Sequence, residues 1–328
     1  MTRIAENQLV RTVVQGVFNN RLKVAKYSEE LSTGLKVSNP GDSNLSGSIA
    51  QFRDSLQRVD SYKSRVSTVK SVLIFQDDVL REAENLMIRA KEIAAQAANE
   101  TNSEETRKHM AGEIFQIRNH LASLANSTYM GKYIFGGTRD DVPPFDLQTY
   151  NEPATGEASQ RYVHDGAPGR SDLRTVNITD NLSIVINSDG DALFSNGIAA
   201  LERLGRALDG YTTEPAIGIP DGNGTEYDFP ADFTQQTLDI KSAMDLLDVS
   251  REQEILQERI SVGGKLRRLE TADSLLNLSK VNTEELLDKL QNADIVASAS
   301  NLAQAQTALD ASFAVTSRIL NLSILDYI

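Results

Sequence analysis

Apolar residues recur every three or four positions along the first third of the chain. After the first steps, the spacing settles into a strict alternation of four and three, and only Gln76 in the series is polar. A stripe held for more than three heptads predicts a long helix that packs in a coiled coil or bundle. The series comprises Phe52, Leu56, Val59, Tyr62, Val66, Val69, Leu73, Gln76, Leu80, Ala83, Met87, Ala90, Ala94 and Ala97.

A second helix is predicted directly after this stripe. Asn102-Ser103-Glu104-Glu105 places a capping residue before acids in a first turn, which is typical of a helix N-terminus. The interruption between the two helices is short, which favours an antiparallel pair. The second stripe keeps the same alternation through Met110, Ile114, Ile117, Leu121, Leu124 and Thr128.

Helix is predicted again from near Asp232 to the end of the chain. Gly263-Gly264 interrupts the pattern and predicts a break or a loosened turn. The last stripe again alternates steps of four and three, through Ile295, Ala299, Leu302, Gln306, Leu309, Phe313, Thr316 and Leu320.

The N-terminal segment carries a weaker stripe that ends at Thr33-Gly34. It consists of Val10, Val14, Val17, Val24 and Leu31. An isolated amphipathic helix is marginal in water and needs a packing partner. We therefore expect the apolar stripe of each terminus to pack against the other terminus or against a second subunit. The candidate interface residues are Val10, Val14, Val17, Leu31, Leu302, Leu309, Phe313 and Leu320.

The segment between the helical arms differs in composition. From Gly137 to Ile240 it holds 18 acidic and 6 basic residues, seven of the eight prolines and no lysine, while the whole chain has a net charge of −13. Leu173–Thr179 and Leu182–Asn187 alternate or are β-branched around Asp180-Asn181, which predicts a hairpin. A short helix is predicted through Ile198, Leu201, Leu204 and Leu208.

Together these patterns predict a mainly α protein. Long coiled-coil or helical-bundle arms are formed by both termini, and a small β-rich domain is inserted in the middle. Three domains are expected: a terminal helical inner domain (1–42 plus 285–328), a helical bundle domain (43–136 plus 236–284) and an acidic outer insert (137–235).

Composition and motifs give little support to an enzyme. The chain has no Cys, which excludes disulfides and thiolate chemistry, and its three His do not fall at metal-binding spacings. No cofactor-binding, catalytic or metal site is predicted, and clustered basic residues for nucleic acid are lacking. No apolar run reaches membrane-spanning length, and the N-terminus does not resemble a signal peptide.

Several motifs resemble one family. Tyr133-Ile134-Phe135-Gly136-Gly137-Thr138, followed by Pro143-Pro144-Phe145, resembles a run of the hook-associated protein 3 family, the hook–filament junction proteins of the flagellin superfamily. Leu31–Val37 resembles the superfamily segment that joins the first two helices, and Val262–Glu270 resembles that family's VGARxNRLE. The similarity covers about 1–145 and 235–328. Gly264, where the family commonly has Ala, is a departure from the pattern.

The resemblance implies a structural subunit of the bacterial flagellum, at the junction of hook and filament. Implied partners are further copies of the chain in a helical ring, another hook-associated protein on the hook side and flagellin on the filament side. A cytoplasmic export chaperone on the C-terminal helix is also implied, with type III export to the cell exterior and no cleaved signal. Two alternatives stay open: a filament flagellin, and a glycan-binding or enzymatic module on the insert.

Overall fold

The computed structural model describes residues 2–36, 45–99, 102–151, 158–169, 171–211 and 232–325. Its helices are α1 (Thr2–Thr33), α2 (Ser46–Ala97), α3 (Glu104–Ala125), α4 (Gly190–Asp209), α5 (Phe233–Val249), α6 (Leu256–Gln291) and α7 (Ile295–Leu325). Its strands are β1 (Thr128–Tyr129), β2 (Lys132–Tyr133), β3 (Phe145–Asn151), β4 (Ala158–His164), β5 (Thr175–Thr179) and β6 (Leu182–Val185). The predicted fold class is confirmed. None of the described helices has the length and mean hydropathy needed to cross a bilayer.

The chain forms two compact units. The first contains residues 1–61 and 275–328, and the second contains residues 62–274. The second unit holds most of α2, all of α3, α4 and α5, the first half of α6 and the three β-hairpins. The finer division into inner, bundle and outer domains stays a prediction.

The α2 stripe is the core of the second unit. Every stripe position from Val66 to Ala97 is buried, including Gln76 at 1% exposure. The predicted antiparallel pairing of α2 with α3 is supported by the ion pair between Arg89 and Glu113, whose Nη2 and Oε1 lie 2.8 Å apart. These two residues are nearly equidistant from the connecting turn. At the start of α3, Ser103 accepts a hydrogen bond from the Thr106 amide at 3.2 Å, which confirms the predicted cap.

The predicted break at Gly263-Gly264 is wrong. The helix runs without interruption through both glycines, and the irregularity lies upstream, where Ser250–Ile255 forms a π-helical turn between α5 and α6. A π turn holds one extra residue, so the residues that follow it are displaced around the helix axis. Ser250 and Ile255 are fully buried within it. Two glycines in mid-helix cost helix propensity but do not prevent helix when the flanking residues are packed, as Val262 and Leu269 are here.

The hairpins vary in their agreement with the sequence pattern. The hairpin predicted around Asp180-Asn181 is confirmed as β5–β6, with an irregularity between Asn177 and Thr179. Strand β2 ends at Tyr133, and the next two residues, Ile134 and Phe135, are buried. Between β1 and β2, Met130 and Gly131 form a tight turn with φ of 51° and 77°.

Helix α4 packs closely against its neighbours because three of its residues are glycines. A Cβ at Gly190 would lie 2.7 Å from the backbone oxygen of Phe135, and one at Gly205 would lie 2.6 Å from the Phe115 ring. A Cβ at Gly197 would meet the end of Met87 at 2.5 Å. The amide of Gly190 donates to that same Phe135 oxygen at 3.2 Å. The start of α4 is thereby fixed against the segment that carries Phe135.

We expect Gly190→Ala to destabilise the protein by about 1–3 kcal/mol, because the added methyl group meets a backbone oxygen that cannot rotate away. Gly112→Ala is the matched control. Gly112 lies on the exposed face of α3 with nothing near its missing Cβ, so this change should stabilise by up to about 1 kcal/mol. Urea unfolding followed by circular dichroism measures both, and equal stability of the two variants would contradict the packing.

Candidate assembly interface

The two terminal helices, α1 and α7, form an antiparallel pair within the first unit. The pair is closed at one end by backbone hydrogen bonds around Gly34, whose φ is +70°. There the Lys36 amide donates to the Gln291 oxygen at 2.7 Å, and the Ala293 amide donates to the Gly34 oxygen at 2.9 Å. This short clamp fixes the register at which α7 returns along α1.

Polar side chains hold that register further along the pair. The Ser298 hydroxyl donates to Oε2 of Glu30 at 2.7 Å, and the two residues are only 4% and 7% exposed. Asn20 donates to the Ser312 hydroxyl at 2.8 Å. A buried carboxylate needs a donor, so the Glu30–Ser298 bond specifies this alignment more strongly than apolar contact does.

The apolar stripes of α1 and α7 are incompletely buried by each other. Val14 is 54% exposed and Phe313 is 52% exposed. Val17, Leu31, Leu302 and Leu309 are half-buried, while the side chains of Val10 and Leu320 lie outside the described residues. Among the described side chains of these two helices, Ala305 is the one fully buried apolar residue. Two helices alone cannot enclose their stripes, so apolar surface remains available to a further partner.

Some exposed residues of this surface fall outside the predicted set. Phe18 and Leu22 are 56% and 54% exposed and follow Val14 at successive steps of four. On α7, Val315 is also 48% exposed. A search for steps of four alone would have found Phe18 and Leu22, since residues four apart share a helix face. The pattern of alternating steps of four and three does not include these two residues.

The motif residues lie elsewhere, in the second unit, and most of them are buried. The rings of Phe135 and Phe145 both meet Phe194 of α4 edge-on, at centroid distances of 4.9 and 6.5 Å. Phe145 also stands edge-on to His164 at 5.2 Å. Phe135 and Phe194 are fully enclosed. The aromatic part of the motif therefore anchors the β-hairpins to α4 and exposes little surface.

The other motif residues shape the turns around this aromatic cluster. Tyr133 ends β2, and its amide donates a hydrogen bond to the backbone oxygen of Asp140 at 3.0 Å. Gly136 forms a β-bridge with Asp189, and Gly137 has a φ of +64°, a conformation that favours glycine. The Pro144 oxygen accepts from the Asp165 amide at 3.1 Å, and Pro143 is half-buried beside it.

Two polar groups fix the motif in place. The side chain of Asn126 donates to the Phe145 oxygen at 2.8 Å and accepts from the Phe145 amide at 3.0 Å. Asp140, which is 9% exposed, binds Lys132 at 2.8 Å and Arg174 at 2.6 Å. The hydrogen bond from Lys132, assisted by Arg174, lowers the pKa of the Asp140 carboxyl below its usual value.

Comparison with known proteins finds similarity to a bacterial flagellin family in the N-terminal part of the chain. Residues 4–140 match the family described as the bacterial flagellin N-terminal helical region. Flagellin of Clostridium tyrobutyricum is 23% identical over 182 residues, which cover 54% of this chain and 48% of that protein.

The similarity to flagellar hook-associated protein 3 is longer. The protein of that name from Escherichia coli is 24% identical over 341 residues and 98% of each chain, and the one from Salmonella typhimurium is 24% identical over 95% of each. The resemblance predicted from the sequence motifs is confirmed.

Solved structures agree on the fold. A putative flagellar hook-associated protein from Vibrio parahaemolyticus matches with a TM-score of 0.59 at 18% identity, over 77% of this chain and all of that one. FlgL from Xanthomonas campestris matches with a TM-score of 0.54 at 15% identity, over 73% of this chain and 99% of its own.

We expect Ser298→Ala to destabilise the α1–α7 pair by about 1–3 kcal/mol, because it removes a donor from the buried Glu30 carboxylate. Ser300→Ala, on the exposed face of the same helix, is the control. Amide hydrogen exchange reports the stability of the pair directly. Exchange in α1 and α7 should accelerate in the first variant, and equal rates in both would exclude a role for this bond.

Asp140 should make stability depend on pH in the acidic range. Its pKa is lowered in the folded protein, so its stabilising effect is present above the unfolded value of about 4 and is lost as the pH falls through the folded value. Asp140→Asn should therefore reduce stability at pH 7, and its deficit should shrink below about pH 4. Urea unfolding between pH 2 and 7 measures this, with the exposed Asp141→Asn as control. A deficit that is constant with pH would contradict the assignment.

Proposed function

We propose that this chain is a structural subunit of the bacterial flagellum that joins hook to filament. The observation that carries the proposal is the end-to-end similarity to hook-associated protein 3, over 98% of both chains. The half-exposed apolar surface on α1 and α7 supports it, because a subunit that polymerises needs such a surface. Filament flagellin is the second candidate, and the similarity to a flagellin covers only 54% of the chain.

Assembly would proceed by burial of the terminal helices against neighbouring molecules. Val14, Phe18 and Phe313 each retain more than half of their surface. Complete burial of a large apolar side chain is worth about 1.5–3 kcal/mol, so finishing the burial of several can offset the entropy of association. Repeated head-to-tail contacts of this kind produce helical assemblies instead of closed dimers.

The implied partners follow from this position. Further copies of the chain would complete a helical ring, another hook-associated protein would bind on the hook side, and flagellin would bind on the filament side. We also propose that a cytoplasmic chaperone covers the C-terminal helix before export. Export would use the flagellar type III channel without a cleaved signal, and the final location is the cell exterior.

The function proposed here is not enzymatic. The relatives bear the names of structural flagellar proteins. A glycan-binding or enzymatic activity of the insert stays a separate alternative, which screening of the full chain for turnover or saturable glycan binding would test.

Electron microscopy of the purified protein mixed with hook–basal bodies tests the junction role. A junction protein should add a short layer at the distal end of hooks that already carry the preceding hook-associated protein, and should not form long filaments alone. Long filaments of the pure protein would favour the flagellin alternative. Failure to add to any hook, with the protein folded, would refute the proposal.

Val14→Asp and Phe313→Asp should abolish addition to hooks while leaving the monomer folded. Both side chains are more than half exposed, so a charge there costs the isolated chain little, whereas burying that charge in a contact is expensive. Leu173→Asp is the control, since Leu173 is 61% exposed but lies in the second unit. Circular dichroism checks the fold, and micrographs count capped hooks. Normal capping by the first two variants would exclude these residues from the interface.

A further inference from the structure

One edge of β4 has no neighbouring strand among the described residues, because β3 and β4 form a two-stranded sheet. The direction of its backbone groups follows from two contacts. Both backbone groups of Phe145 bind Asn126, so they do not bind His164, which lies opposite in the register. In an antiparallel ladder such non-bonded pairs alternate with bonded ones. The amide and carbonyl of His164, and those of Tyr162 two residues earlier, therefore point away from β3.

A second contact confirms this direction. The oxygen of Gln160, two residues before Tyr162, accepts a hydrogen bond from the Arg118 guanidinium of α3 at 3.2 Å. Gln160 thus has its outward carbonyl satisfied by a side chain. No hydrogen bond to the outward backbone groups of Tyr162 or His164 occurs within the described part of the chain.

A groove of about 410 Å³ runs along this open edge. Four consecutive residues of β4, Arg161–His164, form one wall, as expected when the groove follows a strand edge. One face of α4 forms the other wall, and the buried Phe145 and Ile198 lie at the base. The α4 residues that line it are Asp191, Ser195, Asn196, Ile198, Ala199 and Glu202.

The two ends of the groove differ in charge. At the Gln160 end, Arg118 forms a buried ion pair with Glu202, and Arg161 also lines the groove. At the His164 end, the Asp191 carboxylate is 56% exposed and lies 3.8 Å from Nδ1 of His164. The other ring nitrogen of His164, Nε2, is buried without a hydrogen-bond partner. The acidic group at this end is the exposed Asp191 carboxylate, whose Oδ1 accepts a hydrogen bond from the Ser195 hydroxyl. Nδ1 of His164 accepts from the Gly166 amide at 3.3 Å, so the unpartnered polar atom here is Nε2 of His164.

We propose that this groove binds an extended peptide segment that adds to β4 as a short third strand and places a Lys or Arg beside Asp191. An extended backbone presents amides and carbonyls at the spacing that Tyr162 and His164 require, and strand addition is a general mode of peptide recognition. The open edge accommodates about three residues at about 3.3 Å each. Small or apolar side chains at alternate positions would face Ile198 and Ala199.

The full chain, panned against a random seven-residue peptide library displayed on phage, tests the proposal. Enriched peptides should carry a basic residue next to alternating small or apolar residues. A synthetic copy of the best peptide should slow amide exchange at Tyr162 and His164 specifically. It should bind at least tenfold more weakly to Ala199→Gln, whose larger side chain fills the groove. Ala192→Gln, an exposed change on α4 outside the groove, should bind like the wild type.

Asp191→Asn tests the charge. It should weaken binding several-fold, and the difference from the wild type should shrink at high salt, because an exposed ion pair is screened. The proposal is overturned if no peptide is enriched, if Ala199→Gln and Ala192→Gln bind equally, or if exchange is slowed elsewhere than along β4. Exchange on the wild-type chain keeps the test valid even if Ala199→Gln folds poorly.

Discussion

The second unit depends on burial of one apolar stripe, the face of α2 from Val66 to Ala97. Leu73, Leu80 and Ala83 are completely enclosed there. The small residues toward its C-terminal end, such as Ala90 and Ala94, let neighbouring elements approach closely, as the glycines of α4 also do. The one polar member, Gln76, donates to Ser188, which in turn donates to Glu258. The stripe is thus linked through Ser188, which lies between β6 and α4, to Glu258 of α6.

The terminal pair α1–α7 also depends on apolar packing, but its apolar residues are less completely buried. Both helices also carry apolar stripes, yet only two helices meet, and the large residues stay half-exposed. Specific polar bonds such as Glu30–Ser298 then fix the register, while apolar surface remains uncovered. This combination suits a subunit whose terminal helices gain their final partners from other molecules. The family motif has the opposite character, because Phe135 and Phe145 are buried and stabilise the fold.

Some backbone groups at the edges of the β3–β4 hairpin form hydrogen bonds, and others do not. Asn126 forms hydrogen bonds with both backbone groups of Phe145, and Arg118 donates to the carbonyl of Gln160. At these points side chains supply the hydrogen bonds that a neighbouring strand would otherwise make. Within the described residues, no side chain forms a hydrogen bond with the outward backbone groups of Tyr162 and His164. Sheet edges invite pairing unless they are covered, and this small hairpin leaves a short stretch open beside α4.

The sequence by itself determined most of the helices, the cap at Ser103 and the buried residues of α2, because periodicity and capping are local properties of the chain. It also identified the terminal stripes and the motif that resembles hook-associated protein 3. Only the tertiary structure decided that the helix passes through Gly263-Gly264 and that the irregularity is the π turn at Ser250–Ile255, since packing around Val262 and Leu269 outweighs local propensity. It alone decided that Phe18 and Leu22 are exposed and that β4 meets α4 across a groove, because burial depends on which elements meet in space.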